Sequence, residues 1–135
     1  ETMYVDVLNR GRIFGVGDRA QALVAGWRDR VARATAGVEP GAGPRVFVYD
    51  SGEETPFTAG AYAMPTALIE AAGGRNVMDD LPKSWATVGW ETVVARDPQV
   101  IVIVDYGDVT ADQKIAFLRG NPALAGIDAV RNGRF

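Results

Sequence analysis

Residues 56–78, PFTAGAYAMPTALIEAAGGRNVM, hold a small-residue turn, a helix and a Gly-Gly stop, and both flanks are β-rich. Upstream, RVFVYD at 45–50 reads as a short strand. Downstream, VIVIV at 100–104 is a continuous apolar run between turn signals, the pattern of a strand buried on both faces. The helix between them is expected at about 61–72, through Met64, Leu68, Ile69 and Ala72. Pro65 sits in its first turn, where a missing N–H costs nothing, and Gly73-Gly74 ends it. Residues 76–78 read as a second short strand, and 51–60 and 79–84 as polar loops. Glu91 begins a short helix through Val94 and Ala95, ended by Asp97-Pro98. Thr110 or Asp112 opens another, carrying Ile115, Phe117 and Leu118 and stopping around Gly120-Asn121-Pro122. Strand alternating with helix at this spacing predicts an α/β fold: three layers, with a mainly parallel sheet flanked by helices.

Ahead of this block lie two helical segments. Tyr4, Val5, Leu8, Ile13 and Phe14 suggest a helix over residues 2–15, with Gly11 as a weak point and Gly15 and Gly17 as breaks. Asp18 is expected to cap a long second helix, with Gln21 placed for a capping box. Its apolar stripe runs through Leu23, Val24, Trp27, Val31 and Ala34, with arginines on much of the remainder. Gly37 and then EPGAGP at 39–44 make the clearest boundary in the chain.

Composition excludes several function classes. The 135 residues carry a net charge of −3 with no basic face, so a nucleic-acid footprint is unsupported. Cysteine is absent, which removes disulfides, thiolate metal sites and thiol nucleophiles together. Histidine is absent too, so there is no ordinary Ser-His-Asp triad and the commonest zinc ligand is missing. No apolar run reaches the ~20 residues of a membrane span. The chain opens at Glu1 without a methionine and is expected to be a piece of a longer protein.

Two sets of residues point to possible chemistry. Asp50, Glu53 and Glu54 follow the first strand, and Asp105 and Asp108 the central one. Ligands of open α/β sheets bind beyond the carboxyl ends of the strands, so a carboxylate magnesium site there is one reading, and wet acidic loops another. Phe57, Tyr62, Trp85 and Tyr106 lie in or beside loops at that same end, as candidate walls of an apolar ligand pocket. Trp27, Phe47 and Phe117 fall on periodic positions and read as core, while Trp90 fits either packing or surface. Glu91 at a helix start is already explained by the helix dipole.

Taken together, PFTAG at 56–60, IEAAGGRNV at 69–77, the Trp85-x5-Glu91 spacing, GWETVVARDPQVIVIV at 89–104 and AVRNGRF at 129–135 are familiar. They resemble the substrate-binding proteins of ABC importers for ferric siderophores, haem and cobalamin. The resemblance covers most of the chain and is sharpest at Gly73-Gly74-x-Asn76 and at Trp-x5-Glu…Asp-Pro-x-Val-Ile. It implies two α/β lobes joined by one stiff helix, with ligand held between them. Residues 1–17 would be the tail of the N-terminal lobe, 18–37 the interlobe helix, and 45–135 the C-terminal lobe without its final helix.

Several roles follow from the resemblance. Phe57 and Thr58 would fall in a loop approaching ligand, Trp85 would line the pocket, and Glu91 would dock to arginines of the membrane permease. Tyr62 and Tyr106 have no counterpart and rest on their position alone. The lack of histidine argues against relatives that bind bare zinc or manganese, whereas a siderophore or corrinoid brings its own metal coordination. The expected protein is an extracytoplasmic receptor, free in a periplasm or held by a lipid, with a metal chelate and an ABC permease as partners. It would be monomeric at full length, make no bond, and need no resident cofactor. With half the cleft outside it, this chain by itself is expected to bind weakly or not at all. The rival readings are a small magnesium enzyme using Asp50, Glu54 or Asp105, and a scaffold module without a pocket.

Overall fold

The structure, a computed structural model, describes residues 2–135, and these form two compact units that part after Val38. The first is a helical pair, α1 (Thr2–Ile13) and α2 (Gly17–Ala34). Gly11, expected as a weak point, is the buried contact of this pair: a Cβ there would collide with the Cβ of Ala20. Tyr4 packs on Trp27 with ring centroids 6.4 Å apart and carries the Arg28 guanidinium 5.1 Å above its ring. The expected capping box at Asp18 does not form. Gly17 is already helical, so the N-cap falls on Val16, which has no side-chain bond to give, and Asp18 sits inside the first turn where its charge still suits the dipole.

The second unit, residues 39–135, is the α/β body. Its parallel sheet has the order β3-β1-β5, from β1 (Arg45–Tyr49), β3 (Arg75–Asn76) and β5 (Val100–Ile103). Register places Phe47 beside Ile101, and Val48 beside Val102 on the opposite face. The Phe47 face holds the larger core, where Tyr49 and Ile101 meet Val93, Leu118, Leu124 and Ile127. Those partners come from α4 (Trp90–Arg96), α5 (Ala111–Gly120), the 3-10 turn Pro122–Leu124 and the entry to α6 (Asp128–Arg131). On the other face Val48 packs with Ala59, Ala63 and Ile69, under α3 (Met64–Ala71). Helices on both faces of a parallel sheet give the three layers that the alternation predicted.

Four expectations need correction. Residues 57–59, expected inside a loop, form β2 (Phe57–Ala59), paired antiparallel with β4 (Trp85–Thr87). Three-residue strands are too short to display a period of two. The helix starts at Met64 rather than near residue 61, because Gly60, Ala61 and Tyr62 donate their N–H groups to Ser84, Leu81 and Lys83. The strand after Gly74 stops at Asn76, because the Asn76 side chain takes the Met78 N–H that a longer strand would spend elsewhere. Finally, VIVIV is buried on one face only: Ile101 is fully buried, but Val102 is 43% exposed. The Val48 cluster takes in Val104 at the end of this run but leaves Val102 outside it. Thr110, not Asp112, caps α5, in a full capping box with Gln113.

The fully buried side chain of Asn76 ties these layers. Its Nδ2 donates to the Ala59 carbonyl at 2.8 Å and to Thr66 Oγ1 at 2.7 Å, and its Oδ1 accepts the Met78 N–H at 3.0 Å. Thr66 Oγ1 in turn donates to the Gly60 carbonyl at 2.7 Å. One amide thus joins β2, α3, β3 and the turn after it. Asn76→Ala is expected to destabilise the α/β unit by about 3 kcal/mol, since it orphans a buried N–H and a buried carbonyl together. Thr66→Val should cost less, about 2 kcal/mol, because it removes two bonds rather than three and the Gly60 carbonyl keeps the Ala63 N–H. Urea unfolding followed by circular dichroism would check both, and an inverted order would refute the hub.

Candidate ligand-binding site

At the carboxyl end of the sheet the chain leaves β1 through Asp50 and returns in β2. The turn between them is built on Gly52, whose φ of +87° and the close approach of the Thr55 carbonyl admit no side chain. Phe57 accepts the Asp50 N–H at 3.1 Å and donates to the Ser51 carbonyl at 2.8 Å, which closes the hairpin. The far side of the turn is held by Trp90, whose Nε1 donates to the Glu53 carbonyl at 2.6 Å. Trp90 is therefore packing, not surface. Its ring meets Tyr49 at 5.4 Å, Phe117 at 5.8 Å and Phe47 at 6.2 Å.

The pairing of β2 with β4 brings Phe57 and Trp85 together. Their rings stack with centroids 5.7 Å apart and planes 21° from parallel, and Phe57 remains 37% exposed. Two stacked aromatics that keep open surface form a rigid apolar plate, costly to leave in water and suited to a flat ligand. Thr58 does not share that surface. It lies in β2 rather than in a loop, fully buried, with its hydroxyl donating to the Val48 carbonyl at 2.6 Å, so it braces the hairpin instead of facing outward. Tyr62 is 70% exposed in the turn before α3, next in space to the chain entering Trp85 through its backbone bond to Lys83. Glu91 is exposed on the first turn of α4, and its carboxylate folds back over Gly89.

Tyr106, 58% exposed, leans over the end of β1, and its hydroxyl donates to Asp50 Oδ2 at 2.8 Å. That bond and the negative charge behind it hold the phenol above the ordinary tyrosine range. Ser51 donates to the same oxygen at 2.9 Å. Beneath the Tyr106 ring, 5.1 Å from its centroid, lies the Lys114 ammonium, which donates to the Asp50 and Val104 carbonyls at 2.5 Å each. Lys114 was not singled out from the sequence. Its signal is a lysine on the stripe of α5 that also carries the buried Leu118, an apolar position by period.

The carboxylates do not assemble as a magnesium site requires. Among the described residues no three Asp or Glu side chains converge to hold an ion. Asp50 is taken by two hydroxyls, Asp105 Oδ1 accepts the Ala111 N–H at the start of α5, and Glu54 stands exposed. The reading of Asp50, Glu54 and Asp105 as metal ligands is therefore set aside. At the opposite, amino end of the sheet a cavity of about 350 Å3 is lined by Arg45, Arg75 and Arg96 with Asp79 and Asp80. Each guanidinium there is paired, with Asp97, Asp79 and Asp80 respectively, so the cluster is neutral within itself.

Burial first, and the Glu53 carboxylate second, push the Tyr49 phenol from 10.0 up to about 12. Below pH 10 both folded and unfolded chains keep this proton, and its contribution is fully present. Between pH 10 and about 12 the unfolded chain ionises while the folded one does not, so stability is lost by up to ~1.4 kcal/mol per pH unit. Absorbance titration at the tyrosinate band should show a late step near pH 12 that Tyr49→Phe removes. A wild-type chain with no such step would contradict the environment described for Tyr49.

Comparison with known proteins places this geometry. The chain is 37% identical to a protein of Halobacterium salinarum described as a cobalamin-binding protein, over 113 residues that make up 78% of this chain and 30% of that protein. It superposes on a periplasmic binding protein of Veillonella parvula with TM-score 0.87 and 37% identity, covering 98% of this chain and 47% of the other. It also superposes on a protein of the ABC-type Fe3+-hydroxamate transport system of Saccharomonospora viridis with TM-score 0.83 and 30% identity, covering 97% and 45%. The chain thus spans about a third to a half of the length of these relatives. A model of the periplasmic binding protein family matches residues 1–135, and the chain belongs to that family.

Proposed function

We propose that this chain is the C-terminal lobe and connecting helix of an extracytoplasmic substrate-binding protein that delivers a metal chelate to an ABC permease. The observation that carries the reading is the exposed, stacked Phe57–Trp85 pair at the carboxyl end of the sheet. Names of similar proteins point to the same class of cargo, cobalamin in one and Fe3+-hydroxamate in another. Such chelates satisfy their own metal and ask the protein for a flat apolar wall with polar edges. Phe57 and Trp85 supply the wall, and Tyr106 and the exposed Tyr62 the edges. Thr58 acts from behind as a brace. Residues 18–37 serve as the interlobe helix in this reading, and Glu91 meets a cationic permease surface in a charge-steered contact.

Two outcomes follow. Titrating the 15N-labelled chain with cyanocobalamin, gallium acetohydroxamate and gallium protoporphyrin should move the signals of Phe57, Trp85 and Tyr106 with at least one of them. Binding should be weak, in the micromolar range or above, because only one wall of the cleft is supplied. Trp85→Ala should weaken it about tenfold. Nanomolar binding by this chain alone would overturn the half-cleft picture, and shifts confined to residues away from Phe57, Trp85 and Tyr106 would overturn the aromatic wall.

For docking, Glu91→Arg should lower permease-dependent uptake in reconstituted vesicles by about tenfold, with a wild-type rate that falls as salt rises. An unchanged rate would remove Glu91 from the interface.

A further inference from the structure

Lys114 is a buried ammonium without a counter-ion. It is only 4% exposed, and none of the ion pairs among the described residues includes it. Its two bonds go to backbone carbonyls, of Asp50 and Val104, and the Tyr106 ring lies 5.1 Å from Nζ, so one of the three N–H groups of the ammonium has no oxygen acceptor. The Asp50 carboxylate forms no ion pair with it, and its Oδ2 accepts instead from the hydroxyls of Ser51 and Tyr106. A buried charge held by two carbonyls and a ring face gains from a further oxygen acceptor.

Lys114 also lines a cavity of about 200 Å3, shared with Tyr49, Ser51, Gly52, Glu53 and Val109. Its rim is rigid. Tyr49 Oη donates to the Gly52 carbonyl at 3.3 Å, and Trp90 Nε1 fixes the Glu53 backbone, while the exposed Glu53 side chain stands at the cavity edge. Charge decides what such a cavity accepts. A free carboxylate would gain from Lys114 but would face Glu53 and Asp50. A cation would gain from Glu53 but would meet the buried ammonium. A neutral group that both accepts and donates satisfies both ends at once.

We propose that this cavity is a subsite for a carboxamide arm of the ligand, its oxygen accepting from Lys114 Nζ and its N–H donating to the Glu53 carboxylate. The chelate-binding reading supplies only the molecule that carries the arm; the chemistry of the cavity stands apart from it. The subsite and the aromatic plate share one hairpin, since Ser51 lines the cavity and is bonded across to Phe57. An arm seated against Lys114 would therefore orient a chelate lying on Phe57 and Trp85.

The test uses small probes on the 135-residue chain, read by 1H–15N shifts. Acetamide should give saturable shifts confined to residues 51–53 and 109–114, with acetate and methylammonium giving none there. Lys114→Met should abolish them. If that variant does not fold, Glu53→Ala, at an exposed side chain, should weaken acetamide binding by about tenfold, the scale of one charge-assisted hydrogen bond. Shifts with acetate in place of acetamide, shifts unchanged in Glu53→Ala, or no response to acetamide would each overturn the subsite. Acetamide shifts alongside chelate shifts confined to residues away from Phe57, Trp85 and Tyr106 would refute the aromatic wall and leave the subsite standing.

Discussion

The α/β unit depends on one buried amide. Among the described residues, Asn76 alone reaches the backbone of β2, the hydroxyl of Thr66 on α3 and the turn leaving β3 at the same time. Burying a polar group is unfavourable unless every donor and acceptor is met, and here they are met by groups from three separate elements. That condition makes the network directional where apolar packing is not. It sets how far β2 stands from the sheet, and hence where Phe57 and Trp85 emerge.

Trp90 does for the other face what Asn76 does for this one. Its ring fills the space between Phe47, Tyr49 and Phe117, and its one polar atom reaches the turn after β1. The carboxyl end of the sheet is thus pinned from both sides before any ligand arrives. A site assembled in this way loses little conformational entropy on binding.

The polar groups at that end are arranged with the same economy. Lys114 gathers the last carbonyls of two neighbouring parallel strands, and Tyr106 covers it while bonding to Asp50. The acidic residues that looked like metal ligands in the sequence are instead acceptors for hydroxyls and for a helix N-terminus. Proximity along the chain to a strand end was a poor guide to convergence in space, because Asp50 is taken up by two hydroxyls, Asp105 by the Ala111 N–H, and Glu54 stays exposed.

Periodicity and turn chemistry were enough to read the α/β alternation and the stop at Gly73-Gly74, since these depend on neighbours a few residues apart. The family was legible as well, because the order and spacing of its motifs survive in one dimension. Phe57, Trp85 and Tyr106 could be named as pocket candidates, but not paired. Only the antiparallel register of β2 with β4, two strands too short to announce themselves, stacks the first two. Thr58 looked as available as its neighbour, and alternation of side chains across a strand buried it. Lys114 and Trp90 gave no clear sign, because whether a long amphipathic side chain lies in water or under a ring depends on contacts made by residues tens of positions away. The sequence alone determined the class of fold and the family. Which side chains share the face at the end of the sheet was decided by tertiary packing, because burial and hydrogen-bond satisfaction are properties of the assembled layers and not of any one segment.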